Sequence, residues 1–262
     1  MADGFAIASD GAQLIGERSE ADGRHPLVLI HGFSGSRHDW TAVRKALPAS
    51  LPLVSYDQRG FGDSTGPEEV PFSHAEDLLN LLDALGLDQV DICGMSLGGA
   101  TALNFALSHP DRVRRLVLVS PLMVGWLWSE EWIALWKAMG RAARAGDFDQ
   151  ARSLWWQHPL FETTRDGPAG EMLRRSIDRF PGKQWVRDDQ RPEAPDADRL
   201  ASLAVPTLLL TGKLDMPDFL GIADLIGAAQ SVTRIEYADA GHMLTFEQPE
   251  QIAQDIARFI TA

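Results

Sequence analysis

One hexapeptide constrains this chain more than any other. Gly94-Met95-Ser96-Leu97-Gly98-Gly99 stands between the apolar run Val90-Asp91-Ile92-Cys93 and a helical pattern over residues 97–108 that Pro110 stops. A strand that becomes a helix within so few residues needs small side chains on both sides of the apex. Gly94 and Gly98 supply them, and Gly99 lets the helix pack close. Ser96 is thereby lifted to the carboxyl end of its strand with a helix N-terminus behind it, where developing negative charge is favoured. A glycine-rich turn with a capping serine is the purely structural alternative, and the strand-turn-helix context favours a nucleophile.

The surroundings suit a sheet that presents such a turn. Residues 5–8 and 13–17 read as two strands joined at Asp10-Gly11, and a second turn near Asp22-Gly23 leads into the apolar run 26–30. Runs 51–56, 90–93, 113–119, 206–210 and 232–237 are also continuous and apolar, as strands covered on both faces are. Helical patterns alternate with them: 73–85, opened by the Ser73-x-x-Glu76 spacing of a capping box and ended by Gly86, then 97–108, 216–229 and 249–260. This alternation predicts an α/β fold, a mainly parallel eight-stranded sheet with helices on both faces.

Between residues 122 and 200 the alternation fails. The segment reads as several helices and carries seven of the chain's eight tryptophans. The expected organisation is a core of residues 1–121 and 201–262 with a helical cap inserted at 122–200. Trp128, Trp132 and Trp136 recur at helical spacing and are expected to be packing core. Trp155 and Trp156 are adjacent and face different ways, so one of them is expected to reach a pocket; both are candidate pocket residues.

Two further loops follow strands. His31-Gly32-Phe33 places a backbone N–H beside the turn, and with the N–H of Leu97 it would form a two-donor oxyanion hole. His31 itself is expected to brace that loop. Of the seven histidines, His242, in Gly241-His242 after the run 232–237, is the candidate base; His25, His38, His74, His109 and His158 sit in turns, caps or helix ends and are expected at the surface. The base needs a carboxylate to fix its tautomer. Asp215, just past the run 206–210, is the candidate, Asp218 the near alternative, and Asp239 lies too close to His242 in the chain.

The order Ser96, Asp215, His242, with the turn at Ser96, resembles the α/β-hydrolase superfamily over essentially the whole chain. His31-Gly32-Phe33 is similar to its HG oxyanion motif, residues 57–64 to its D-x-R-G-x-G-x-S loop, and Gly241-His242 with Glu247-Gln248-Pro249 to its C-terminal G-H…E-x-P pattern. The resemblance implies a serine hydrolase with a Ser96-His242-Asp215 triad, working through an acyl-enzyme on apolar or aromatic acyl substrates. Ser96 speaks against the haloalkane dehalogenases and most epoxide hydrolases of this fold, which use aspartate. Ala100 speaks against the menaquinone-pathway synthase, which has arginine there. Enol-lactonases, carbon–carbon bond hydrolases and perhydrolases share the remaining motifs. A ligand-sensing regulator that retains the triad is the alternative of another class.

Composition narrows the partners. A net charge of −13 without a concentrated basic patch argues against nucleic acid. No apolar run approaches the ~20 residues of a membrane span. Cys93 is the single cysteine, so no internal disulfide forms, and it is expected in the core. No metal-ligand spacing and no phosphate loop is present, so no cofactor is expected. The start of the chain lacks the pattern of a signal peptide, and the expected location is cytoplasmic. The number of subunits is not encoded in any of these features. Glu247 is expected to serve as a helix N-terminal charge.

Overall fold

The structure, a computed structural model, describes residues 3–19 and 25–262; the expected turn at Asp22-Gly23 lies outside them. Eight strands, β1 (Asp3–Ser9), β2 (Ala12–Ser19), β3 (Leu27–Ile30), β4 (Leu53–Tyr56), β5 (Val90–Met95), β6 (Val113–Val119), β7 (Thr207–Gly212) and β8 (Val232–Tyr237), form one sheet in the order β1-β2-β4-β3-β5-β6-β7-β8. β2 runs antiparallel to both of its neighbours and every other pairing is parallel. All positions of β3, β4, β5 and β7 are buried, as strands roofed on both faces must be. β8 departs from the expected fully covered strand. It is the sheet edge, with one neighbour, and no position in it is fully buried.

Period-two alternation divides the interior into two cores. From β5, Val90 and Ile92 face one way, with Leu116 and Leu118 of β6 and Leu209 of β7; Cys93 and Met95 face the other, with Val117, Val119, Leu208 and Leu210. Two early helices are α1 (Thr41–Ala46) and α2 (His74–Ala84). The N-cap Ser73 of α2 accepts the Glu76 N–H at 3.3 Å. With α3 (Leu97–Ser108), α2 covers the first core; α1 lies on the second.

Between β6 and β7 run α4 (Glu130–Arg144), α5 (Phe148–Trp156), α6 (Glu162–Arg165), α7 (Gly170–Arg179) and α8 (Lys183–Val186), with no strand among them. They share a third apolar cluster that includes Met139, Leu173 and Trp185, closed from below by Phe61, Leu97, Met216 and Phe246. After β7 come α9 (Pro217–Gly227) on the first core, then α10 (Leu244–Glu247) and α11 (Pro249–Thr261) on the second.

Candidate active site

Ser96 stands between β5 and α3 with φ +51° and ψ −113°, a backbone region that side chains other than glycine rarely occupy. Its surroundings explain the glycines. A Cβ on Gly98 would run into the carbonyl oxygens of Ile30 and His31, and one on Gly94 into the Gly98 carbonyl. Gly32 has less room than usual, though more than those two: a Cβ there would lie 3.3 Å from the Ser96 Cβ. The oxyanion-type loop therefore touches the serine directly.

That loop is braced as expected. The His31 Nδ1–H donates to the Gly32 carbonyl at 2.7 Å, and His31 Nε2 accepts the Gln58 N–H at 3.0 Å. Burial lowers the His31 pKa, which suits an imidazole that both donates and accepts. Leu97 opens α3, so its N–H has no carbonyl four residues back within the helix. Phe33, Leu97 and Ser96 line one cavity of about 310 Å³.

His242 lies between β8 and α10. Its Nδ1–H donates to Asp215 Oδ2 at 2.9 Å, and Asp215 Oδ1 accepts the Met216 N–H at 2.7 Å. Both side chains are almost completely buried. The second ring nitrogen, Nε2, has no partner, and His242 lines the same cavity as Ser96. The structure thus brings Ser96, His242, Phe33 and Leu97 to one chamber and sets Asp215 behind the histidine. Ser96 Oγ and His242 Nε2 are not joined by a hydrogen bond, a common arrangement before substrate binds.

Asp218 is not at the histidine. It accepts from Trp126 Nε1 at 3.1 Å, from the Ser129 N–H at 3.1 Å and from Ser129 Oγ at 2.7 Å, and so fastens the N-cap of α4 to the first turn of α9.

The tryptophans at helical spacing pack into the third apolar cluster, as expected, and they also meet the cavity. Trp128, Trp132 and Trp136 all line the cavity. Their rings form a ladder, with centroids 4.3 Å and 6.3 Å apart and interplanar angles of 17° and 10°. Helical spacing puts Trp132 and Trp136 on one face of α4, that face meets the chamber, and Trp128, just before the N-cap Ser129, extends the row. Trp155 also lines the cavity and donates from Nε1 to Ser34 Oγ at 2.8 Å, tying α5 to the oxyanion-type loop. Trp156 is not part of the lining; the Arg174 guanidinium sits 5.4 Å over its ring.

Four other residues have settings that sequence reasoning did not give. Glu247 does more than charge a helix end: Oε2 accepts the Gly241 N–H at 2.6 Å and Oε1 accepts from Thr164 Oγ1, so it holds the histidine loop to α6. The E-x-P motif contained that signal. His74 and His158 are buried, against the surface expectation, because tertiary contacts enclose their helix ends. His158 lies 5.1 Å from the rings of both Trp132 and Trp155; burial, and then the charge of His242, hold it down to about 4. Asp39 lines the cavity, and burial pushes it up to about 7 despite hydrogen bonds from Ser176 and Ser36. Among the described residues, no three of His, Cys, Asp and Glu converge as a metal site would require, and no helix is long and apolar enough to cross a membrane.

The model of the α/β hydrolase fold family matches residues 25–249. Over 229 residues the chain is 31% identical to a protein of Klebsiella pneumoniae named putative carbamate hydrolase RutD, covering 82% of this chain and 84% of that one. Over 241 residues it is 26% identical to 3-oxoadipate enol-lactonase 1 of Acinetobacter baylyi, covering 90% and 88%. A solved thermophilic esterase from Thermogutta terrifontis superposes with a TM-score of 0.81 at 27% identity, covering 99% of this chain and 98% of that one.

Proposed function

The chain belongs to the α/β hydrolase family, and on that footing we propose that it is a serine hydrolase acting on carboxylic esters, lactones included, of small apolar or aromatic molecules. The observation that carries the reading is the His242 imidazole, held by Asp215 through Nδ1 at 2.9 Å with Nε2 unpartnered, in the chamber that Ser96 enters from its strained turn.

His242 Nε2 takes the Ser96 proton as Oγ attacks the substrate carbonyl carbon. The N–H groups of Phe33 and Leu97 receive the oxyanion. Collapse expels the alcohol, which leaves with the proton from His242. A water then gives its proton to His242 as its oxygen adds to the acyl carbon, and the second tetrahedral intermediate collapses to release the acid while Ser96 Oγ takes that proton back from His242. Asp215 keeps the proton of His242 on Nδ1 and stabilises the imidazolium.

Residues 122–200 act as a cap on a core of residues 1–121 and 201–262. Their tryptophans give the chamber its apolar wall, which suits an apolar or aromatic acyl or leaving group. The names of the relatives, an enol-lactonase and an esterase, fit the same class of carbonyl chemistry.

The test is labelling with a fluorophosphonate together with turnover of p-nitrophenyl esters and lactones. Ser96 is expected to be the modified residue, and Ser96→Ala to lose both labelling and turnover while keeping its melting temperature. Labelling of another residue, or undiminished turnover by the alanine variant, overturns the proposal.

A further inference from the structure

A second cavity, of about 240 Å³, is bordered by Phe33 of the oxyanion-type loop but not by His242. It shares Phe33, Leu97, Leu122 and Trp136 with the reaction chamber, so the two spaces adjoin along these four side chains. Its floor is built by the start of α2 and the outer face of α3.

Most polar groups that border this cavity are already used. Thr101 Oγ1 donates to Gln58 Oε1 at 2.8 Å, and Asn104 Nδ2 donates to Asp196 Oδ1 at 3.0 Å. Ser73 Oγ caps α2. Two groups stand out: Glu193 Oε1, which has only the ion pair with Arg191, and His74, which also borders a neighbouring cavity lined by Arg59 and Gln184. His74 is 5% exposed, and neither Nδ1 nor Nε2 has a hydrogen-bond partner. Its ring packs edge-on against Phe72 at 4.9 Å and tilted against Phe61 at 6.2 Å, which fixes the imidazole without satisfying it. A buried polar side chain left unpaired is costly, and each such group calls for a partner or a role.

The chemistry of the missing partner is also constrained. Burial, with the charges of His31 and Arg59 acting in the same direction, holds His74 down to about 3. At working pH it is a neutral imidazole, with one N–H to give and one bare nitrogen to receive. An ionised carboxylate is a poor match, because Asp188 and Glu193 border the cavity and the nearby Arg191 is already paired with Glu76 and Glu193. A hydroxyl, which both donates and accepts and carries no charge, fits.

We propose that the second cavity receives the part of the substrate remote from the scissile bond, and that His74 selects an uncharged hydroxyl there. The inference rests on the hydrolase reading above. It makes the reaction site bipartite: an apolar, tryptophan-walled chamber around Ser96, and an annex in which the neutral imidazole of His74 is unpaired.

The experiment compares matched esters that differ only in a terminal hydroxyl. One series is p-nitrophenyl alkanoates against their ω-hydroxy counterparts, from butanoyl to decanoyl. The mirror series places the hydroxyl on the alcohol side. In the wild type, one chain length in one series should favour the hydroxylated member by about 3- to 10-fold in kcat/KM, the worth of one net hydrogen bond. His74→Leu should bring that ratio to about one, and His74→Gln, which keeps a donor and an acceptor, should retain part of it. Melting temperature and the fraction of Ser96 labelled by fluorophosphonate certify each variant, and the glutamine variant serves if the leucine variant does not fold. A wild-type ratio near one in both series, or a preference unchanged in His74→Leu, overturns the annex alone. A wild-type protein that neither labels nor turns over any ester overturns the hydrolase reading itself.

Discussion

The carboxyl edge of the sheet and the helical segment above it solve opposite problems. At the edge, Ser96, Asp215 and His242 come from three separate strand ends, and each is held by backbone or by a buried hydrogen bond. In the segment between β6 and β7, the cavity wall is built from aromatic rings packed on one another, and polar ties to the core's loops and helices, such as Trp155 to Ser34, Ser129 to Asp218 and Thr164 to Glu247, hold the segment in place. Geometry fixed to fractions of an ångström sits on strands, and a surface that only needs the right shape sits on helices. The difference teaches that substitutions below should change whether the reaction occurs, and substitutions above should change which molecule undergoes it.

Breaking the lower region should give the largest effect. Ser96→Ala is expected to reduce kcat by about 10⁶-fold, the scale seen when such a nucleophile is removed from another serine hydrolase. A residual rate within a hundredfold of wild type, measured with p-nitrophenyl butyrate, would remove Ser96 from the chemistry. Asp215→Asn comes next, with about 10⁴-fold in kcat, because the amide favours the wrong tautomer of His242. Asp218→Asn provides the contrast. It should leave labelling of Ser96 largely intact and lower the melting temperature, since Asp218 holds Trp126 and Ser129 and not the histidine. A reversed order of severity in kcat would exchange the roles of the two aspartates.

The upper region is sharpened by a smaller change. Trp132→Ala should alter kcat/KM ratios between aryl and short alkyl esters by roughly 10- to 200-fold, as lost apolar contacts do. Trp155→Ala should shift preference in the same way, and Trp156→Ala should not, because only Trp155 lines the cavity. Equal shifts from both adjacent residues would mean that the segment moves as a whole when either is cut.

The smallest effect is on stability against pH. The folded pKa of His158 is depressed to about 4, below its ordinary value of 6.5. The unfolded chain therefore binds the extra proton first. The stability contributed by neutral His158 is complete above about 6.5 and is lost as pH falls toward 4, by at most about 1.4 kcal/mol per pH unit. His158→Phe, which suits the aromatic contacts with Trp132 and Trp155, should flatten the melting temperature between pH 6.5 and 4 relative to wild type. Parallel curves would show that His158 does not titrate in this window.

What the sequence made legible follows the same division. The strands around the turn at Ser96 were readable because a buried parallel strand is apolar at every position, and the glycines because no larger residue clears the neighbouring carbonyls. Asp215 was readable from its place just beyond β7. The wall was not. Spacing put Trp128, Trp132 and Trp136 on one helical face, but a face turned to a core and a face turned to a cavity have the same periodicity. His74 and His158 misled for a related reason: helix ends are exposed on local grounds, and their burial is decided by chain segments far away in sequence. Glu247 was visible as a charge at the start of a helix, while its reach to Gly241 and Thr164 depends on how α6 and α10 meet.

The stacked indoles also make the protein its own optical instrument. Seven of its eight tryptophans lie between residues 122 and 200, and Trp40 is the exception. Trp128 and Trp132 are stacked with nearly parallel planes at 4.3 Å, close enough for their electronic transitions to couple. Circular dichroism in the indole bands therefore reports chiefly on the ladder, and the emission spectrum reports chiefly on the roof of the chamber. A molecule entering beside Trp132 and Trp136 displaces the medium that those rings sense. Occupancy becomes a colour change readable without label, product or turnover, even in a Ser96→Ala protein that no longer cuts anything.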